Sequence, residues 1–283
     1  MTRYINPYTD FGFKKLFGEE ANKDLLIDFL NAVLPRDNPI AELTFCNTEQ
    51  LPDNKTDRKA VFDIACTSKN GESFTVEMQK AKQLWFKDRA IFCTAFPLLR
   101  QAQRGDWNFK LNSVYLVAVL DFKYDEMEER RKLYRHVSYK DQDGDPFSDR
   151  VQMVFLQMPL FDKAESELKT QKDKWLFFLK NLESFEDIPK ILREGVFEKA
   201  FATAEYVNFS PAMQEAYQSD LKAYRDNINV LETARIEGRA EGEAKGRVEE
   251  KVEIARSMKR KGYLVDDIAE MTGLSPDEIK QLK

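Results

Sequence analysis

The sequence predicts an α/β protein: a sheet with helices in the N-terminal half, then helix almost to the last residue. Three observations carry this reading. Residues 59–67 (KAVFDIACT) and 72–79 (ESFTVEMQ) are short runs rich in strand-forming residues, with Asn70-Gly71 between them. Residues 111–122 (LNSVYLVAVLDF) are the most apolar strand-like run and fit a strand buried on both faces in the middle of a sheet. From about residue 164 the apolar spacing is helical.

Taken in order, residues 9–18 read as a short helix opened by Thr9 or Asp10. Residues 22–34 carry apolar positions 25, 26, 29, 30, 33 and 34, a helical stripe opened by Asn22 and stopped before Pro35. A strand is expected at 40–48 and a polar loop from Gln50 to Arg58. The two strand runs follow, then an amphipathic helix over about 82–104, stopped by Gly105-Asp106. After the apolar strand come strands near 132–140 and 151–158, separated by the turn-rich DQDGDPFSD. In 232–247, Ala234, Gly238, Gly242 and Gly246 repeat every fourth residue. Each glycine costs a helix about 1 kcal/mol against alanine, and close approach of a second helix is the expected compensation. The end of the chain reads as helix-turn-helix, with Gly273 at the turn and Ser275 capping the last helix with Glu278 three residues on. That last helix opens on Pro276, Asp277 and Glu278, which favours an interaction module over a reader of DNA bases.

Composition narrows the chemistry. The single histidine, His136, lies in a strand-like stretch without a nearby nucleophile, which excludes zinc sites built on several histidines. Cys46, Cys66 and Cys93 form no C-x-x-C pair and read as free thiols of a reducing compartment. No apolar run approaches the ~20 residues that span a bilayer, and the N-terminus lacks a signal-peptide core. The expectation is a soluble, cytoplasmic protein without membrane contact or organic cofactor. The net charge of −5 is not that of a bulk nucleic-acid binder. Residues 51–110 differ: eleven Lys/Arg against seven Asp/Glu, a local surplus of four positive charges. Trp85 and Trp107 in that stretch offer stacking surfaces, although aromatic side chains more often serve a core.

The candidate site lies in the two strand runs. Alternation puts Phe62, Ile64 and Cys66 on one face and Val61, Asp63 and Ala65 on the other. Both faces are mostly apolar, so Asp63 interrupts a central strand, and a buried carboxylate needs a partner. In the second run Phe74, Val76 and Met78 form the apolar face and Thr75, Glu77 and Gln79 the polar one. A two-residue Asn70-Gly71 loop would set Asp63 opposite Met78. A three-residue loop, Lys69-Asn70-Gly71, has glycine at its left-handed position and sets Asp63 opposite Glu77. The three-residue loop is the reading adopted here. Two carboxylates directly opposite repel unless a cation lies between them, and hard oxygen donors without histidine suit Mg²⁺ or Mn²⁺. Gln79 could orient a water, and Lys59, Lys80 or Lys82 could assist near the metal. Lys80, Lys82 and Arg89 are the candidate contacts to nucleic acid.

These residues resemble a known family. DFGFKKLFG, NKDLLIDFLNAVL, TEQ at 48–50, FDI and VEMQ occur in order as they do in the PD-(D/E)xK nuclease family transposases, the recombination-promoting nucleases (Rpn). The resemblance is strong over roughly residues 4–125 and looser beyond. It implies a restriction-endonuclease-like core with a mixed sheet flanked by helices over 1–162. A helical extension would follow over 163–230, the Gly/Ala-striped helix over 231–261 and the helix-turn-helix-like module over 262–283. It implies Mg²⁺-dependent endonucleolytic cleavage of DNA, linked to recombination or mobile elements, with Asp63, Glu77 and Gln79 on the family motif and Glu49 as a further acidic contributor. Gln79 stands where the wider superfamily has lysine. The alternative is a nuclease fold retained as a DNA-binding or oligomeric module, with the C-terminal helices forming a homo-oligomer.

Overall fold

The computed structural model describes residues 2–50, 60–102, 108–124 and 127–282. Contacts within the chain divide it into two units, residues 1–224 and 225–283.

The first unit is built on a six-stranded mixed sheet. Its strands are β1 (Leu43–Phe45), β4 (Ile64–Ser68), β5 (Ser73–Gln79), β6 (Val114–Leu120), β7 (Tyr134–Lys140) and β8 (Pro146–Gln157), in the order β1-β4-β5-β6-β8-β7. The β5/β6 and β6/β8 pairs are parallel and the others antiparallel. Two short strands, β2 (Glu49–Gln50) and β3 (Ala60–Val61), pair separately. A parallel neighbour cannot be reached by a tight turn. The β5–β6 connection therefore carries a helix, α3 (Phe86–Leu99), which packs on one face of the sheet. The opposite face is covered by α1 (Asp10–Phe17), α2 (Lys23–Val33), α4 (Gln171–Asn181) and α5 (Gly195–Ala204). Every residue of β6 is buried, as its apolar run requires of a central strand. This is a restriction-endonuclease-like core, followed by an all-helical C-terminal region.

Local chemistry sets the boundaries. The Thr9 hydroxyl accepts from the amide of Gly12 and opens α1. The apolar stripe of α2 buries Leu25, Leu26, Phe29, Leu30 and Val33. Trp175 of α4 is fully buried, its indole N–H donating to Asp28 Oδ1 at 2.6 Å. His136 lies on edge strand β7 and bonds Gln152 at 3.0 Å, a structural place. The expected helix over 82–104 starts later, at Phe86, because the preceding residues form a turn in which the Phe86 amide bonds the Gln83 carbonyl.

The long helix α6 (Pro211–Arg260) begins in the first unit, where Tyr217, Leu221 and Tyr224 join the core. In the second unit its last turns pack with α7 (Val265–Thr272) and α8 (Pro276–Gln281) around Ala255, Met258, Ile268 and Ile279. Gly273 takes φ +69 at the turn, and Ser275 and Glu278 form the expected capping box. Lys259 Nζ donates to the carbonyls of Ile279, Lys280 and Leu282, closing the end of α8. A Cβ added to Gly238, Gly242 or Gly246 would meet nothing within 4 Å among the described residues, so none of the described segments packs on these glycines.

Candidate metal and nucleic-acid site

The β4–β5 hairpin fixes the site. Gly71 adopts φ +81, its amide bonds the Ser68 carbonyl at 2.9 Å, and the Ser68 amide bonds the Glu72 carbonyl at 2.9 Å. This is the three-residue turn, and it sets Ile64 opposite Val76 and Ala65 opposite Thr75. The hairpin register is the one read from the sequence; the paired ladder ends at Ile64 and Val76, one residue short of Asp63 and Glu77.

The strand does not run straight through Asp63. Residues 59–67 are expected as one strand, but β3 ends at Val61, the chain bends at Asp63, and β4 starts at Ile64. The Asp63 carboxylate explains the break: its Oδ2 accepts the Met78 amide proton at 2.7 Å. A short acidic side chain competes in this way with the backbone for ladder donors. The bend also overturns part of the expected alternation. Phe62 packs in the α3 layer with Ala65, whereas Ile64 and Cys66 face the opposite core.

Thr75, Glu77 and Gln79 of β5 all face α3 and are only 3, 4 and 9% exposed, so the polar face of this strand is a buried one. Beside them lie Leu116 and Ala118 of β6 and Phe86, Ala90 and Cys93 of α3, which wall a small pocket. Gln79 Nε2 donates to Glu77 Oε2 at 2.7 Å, and Arg89 Nη2 lies 3.8 Å from the same oxygen. Glu77 Oε1 is buried and meets no hydrogen-bond donor among the described residues. Burial, then the neighbouring charge of Asp63, pushes the Glu77 carboxyl up to about 7, against the pull of Arg89 and Gln79. Asp63 is raised as well, first by burial; the Met78 amide, Lys14 and Lys80 oppose the shift and Asp10 adds to it.

The donor set fits a hard divalent cation. Among the described residues no three His, Cys, Asp or Glu side chains gather as ligands, but Mg²⁺ commonly takes one or two carboxylates and keeps water for the rest. The orphaned Glu77 Oε1 is the kind of atom such an ion would satisfy, since an ionised buried oxygen without a partner is costly.

The other expected residues are placed as follows. Lys80 pairs with Asp10 of α1 at 3.0 Å and lies 3.8 Å from Asp220 of α6, on the side away from α3. Lys82 is exposed, and Arg89 joins Glu77 and the Gln83 side chain. Glu49 is paired through its backbone with Val61. Lys59 and Trp107 lie outside the described residues. Trp85, at the head of α3, is 70% exposed. Asp10 and Lys14, whose charges reach Asp63, lie in the DFGFKKLFG block, but the sequence does not place them at the site.

A mixed sheet with one acidic position at the mouth of a strand pair and a second buried beside it defines a nuclease-like α/β core. The chain belongs to the PD-(D/E)XK nuclease family transposases, whose family model matches residues 7–234. Residues 248–283 match the C-terminal HTH domain of the Rpn/YhgA-like nuclease family. No curated protein and no solved structure matches the chain. No helix among the described residues is long and apolar enough to cross a membrane.

Proposed function

We propose that the protein is a metal-dependent DNA endonuclease in which Asp63 and Glu77 hold Mg²⁺ or Mn²⁺. The observation that carries this reading is Glu77: a buried carboxylate, near enough to Asp63 to be raised by its charge, with one oxygen that meets no donor among the described residues. Such an ion, when bound, supplies an activated water and stabilises charge on the phosphodiester. Gln79 orients Glu77 through its amide and, lacking a titratable group, does not serve as the base. Arg89, which lines the pocket, and the exposed Lys82 serve as contacts for the DNA backbone, with Lys80 joining them only if it leaves Asp10. The role belongs with recombination or mobile elements in the cytoplasm, and the C-terminal helices serve assembly.

Metal-dependent nicking of plasmid DNA tests the proposal. Asp63→Ala and Glu77→Ala are each expected to reduce nicking at least ~100-fold while the fold is retained. Cleavage that persists in both variants, or its absence with either metal over a wide range of protein, overturns it.

A second reading is favoured by one contact. Arg89 already lies beside Glu77 and partly neutralises it without any metal. On that reading the fold is retained as a DNA-binding or assembly module. DNA binding that is intact and indifferent to divalent ions, without cleavage, distinguishes it.

A further inference from the structure

We propose that one flank of α3, beside the Glu77 pocket, is a track for an unpaired strand of DNA, with Trp85 and Phe92 as the rings on which its bases stack. The proposal rests on the reading of that pocket as the cleavage site and names the form of DNA that reaches it. α3 buries Phe86, Ala90, Cys93 and Thr94 against the sheet. A helix with one buried stripe is ordinarily polar on the rest of its circumference. Here Trp85, Arg89, Phe92, Phe96 and Arg100 follow one another at steps of four, three, four and four, which sets them in one line along the helix. The Arg89 amide bonds the Trp85 carbonyl at 2.9 Å, so Trp85 joins this line although it precedes the helix. Trp85 and Phe92 are 70 and 50% exposed. Phe96 is partly buried against the core below, and its ring supports that of Phe92, 5.0 Å between centroids.

Charge selects the occupant. Residues 81–101 hold Lys82, Lys87, Arg89 and Arg100 against Asp88 alone, in a chain whose net charge is −5. A local cationic surface on an acidic protein favours an anionic partner. Along the line, rings and guanidinium groups are interleaved. Single-stranded nucleic acid is held by that combination, its bases on rings and its phosphates on cations.

Geometry joins the line to the pocket. A base inside a duplex has both faces covered by its neighbours, so a ring reaches it only where the strand is unpaired or the base has left the stack. Trp85 and Phe92 lie seven residues apart, about 10 Å along the helix axis, and so meet different bases of one strand. Arg89 stands between them, its Nη2 3.8 Å from Glu77 Oε2, and lines the pocket with Phe86, Ala90 and Cys93. A phosphate between the two stacked bases is therefore offered to Arg89 at the edge of the pocket. Arg100 lies further along, beside Thr67 and Ser73 of the hairpin, and continues the cationic line past the pocket.

Binding of a fluorescent oligothymidylate to the full chain, without divalent metal, tests the proposal apart from cleavage. Trp85 stands out of the core, so Trp85→Ala leaves the fold intact. It should weaken binding on the order of 10-fold, the worth of one base stacked on a ring. Trp85→Phe, which keeps a ring, should stay within about 3-fold of the wild type. The loss in Trp85→Ala should persist at raised salt, where contacts to phosphate weaken. A duplex of the same length should lose less than about 2-fold in the same variant, since its bases are out of reach. The proposal is overturned if Trp85→Ala leaves the affinity for the single strand unchanged, or if it lowers single strand and duplex alike. Binding that depends on Trp85, with no cleavage in Mg²⁺ or Mn²⁺, supports the track and overturns the nuclease reading, so the two fail separately.

Discussion

The two faces of the central sheet are made by the same strands and are built on opposite terms. Under α1, α2, α4 and α5, β5 presents Phe74, Val76 and Met78, β6 presents Tyr115, Val117 and Val119, and the core is continuous. Under α3, β6 and β8 still offer Leu116, Leu120, Met153 and Phe155, but β5 presents Thr75, Glu77 and Gln79. Among the described residues α1, α2, α4, α5 and the start of α6 close the first face, and α3 covers the second. The contrast teaches where stability and chemistry are kept apart. A buried carboxylate is tolerable on the α3 face because the other face supplies the packing.

The largest expected effect breaks that packing. Trp175 contacts Phe17, Phe29, Phe178 and Phe197 and donates to Asp28. Trp175→Ala should cost about 3–5 kcal/mol in urea unfolding, as large core truncations do. Phe86→Ala on the α3 face, beside the pocket, should fall at or below the low end of that range. Equal losses would show that the two faces share the load.

Glu77→Gln gives the next effect, with the opposite sign. A carboxyl whose folded pKa is raised, here from 4.5 to about 7, binds its proton more tightly in the folded protein. Its stabilising contribution is complete below the unfolded value and is lost as pH rises through about 7. The amide variant cannot ionise. Without metal, at pH above 7, it should be more stable than wild type by on the order of 2–3 kcal/mol, with a flatter pH profile. Added Mg²⁺ should stabilise the wild type and leave the variant unmoved. A variant with the wild-type pH profile would mean that the carboxyl titrates in the ordinary range.

Much of this was legible in the residues. The glycine of Lys69-Asn70-Gly71 set the register, and the apolar run of β6 set the middle of the sheet, because turn sterics and burial are written locally. The bend at Asp63 was not legible. The sequence marks Asp63 as a carboxylate that needs a partner inside an apolar run, and only the fold shows that its carboxylate takes the Met78 amide. The charges around it were hidden for the same reason: Asp10 and Lys14 come from α1, distant in the chain. The polarity of Thr75, Glu77 and Gln79 marks one face of β5, but not that α3 buries it.

The smallest expected effect tests whether the two faces meet through the hairpin. Gly71 holds φ +81, where an L-residue is disfavoured by roughly 1–2 kcal/mol, and a Cβ there would stand 2.7 Å from the Asn112 side-chain nitrogen. Gly71→Ala should therefore destabilise by about 1 kcal/mol or slightly more, less than either substitution above, if Asn112 moves aside. Its effect on cleavage should exceed its effect on folding. The turn sets Ile64 against Val76, the last pair before Asp63, and a slip of one residue would reverse the faces of β4 and shift Asp63 along β5. The check is to compare nicking by this variant, under conditions where it is fully folded, with nicking by Phe86→Ala. A Gly71→Ala protein of unaltered activity would mean that the bend and the Met78 amide hold Asp63 in place without help from the turn.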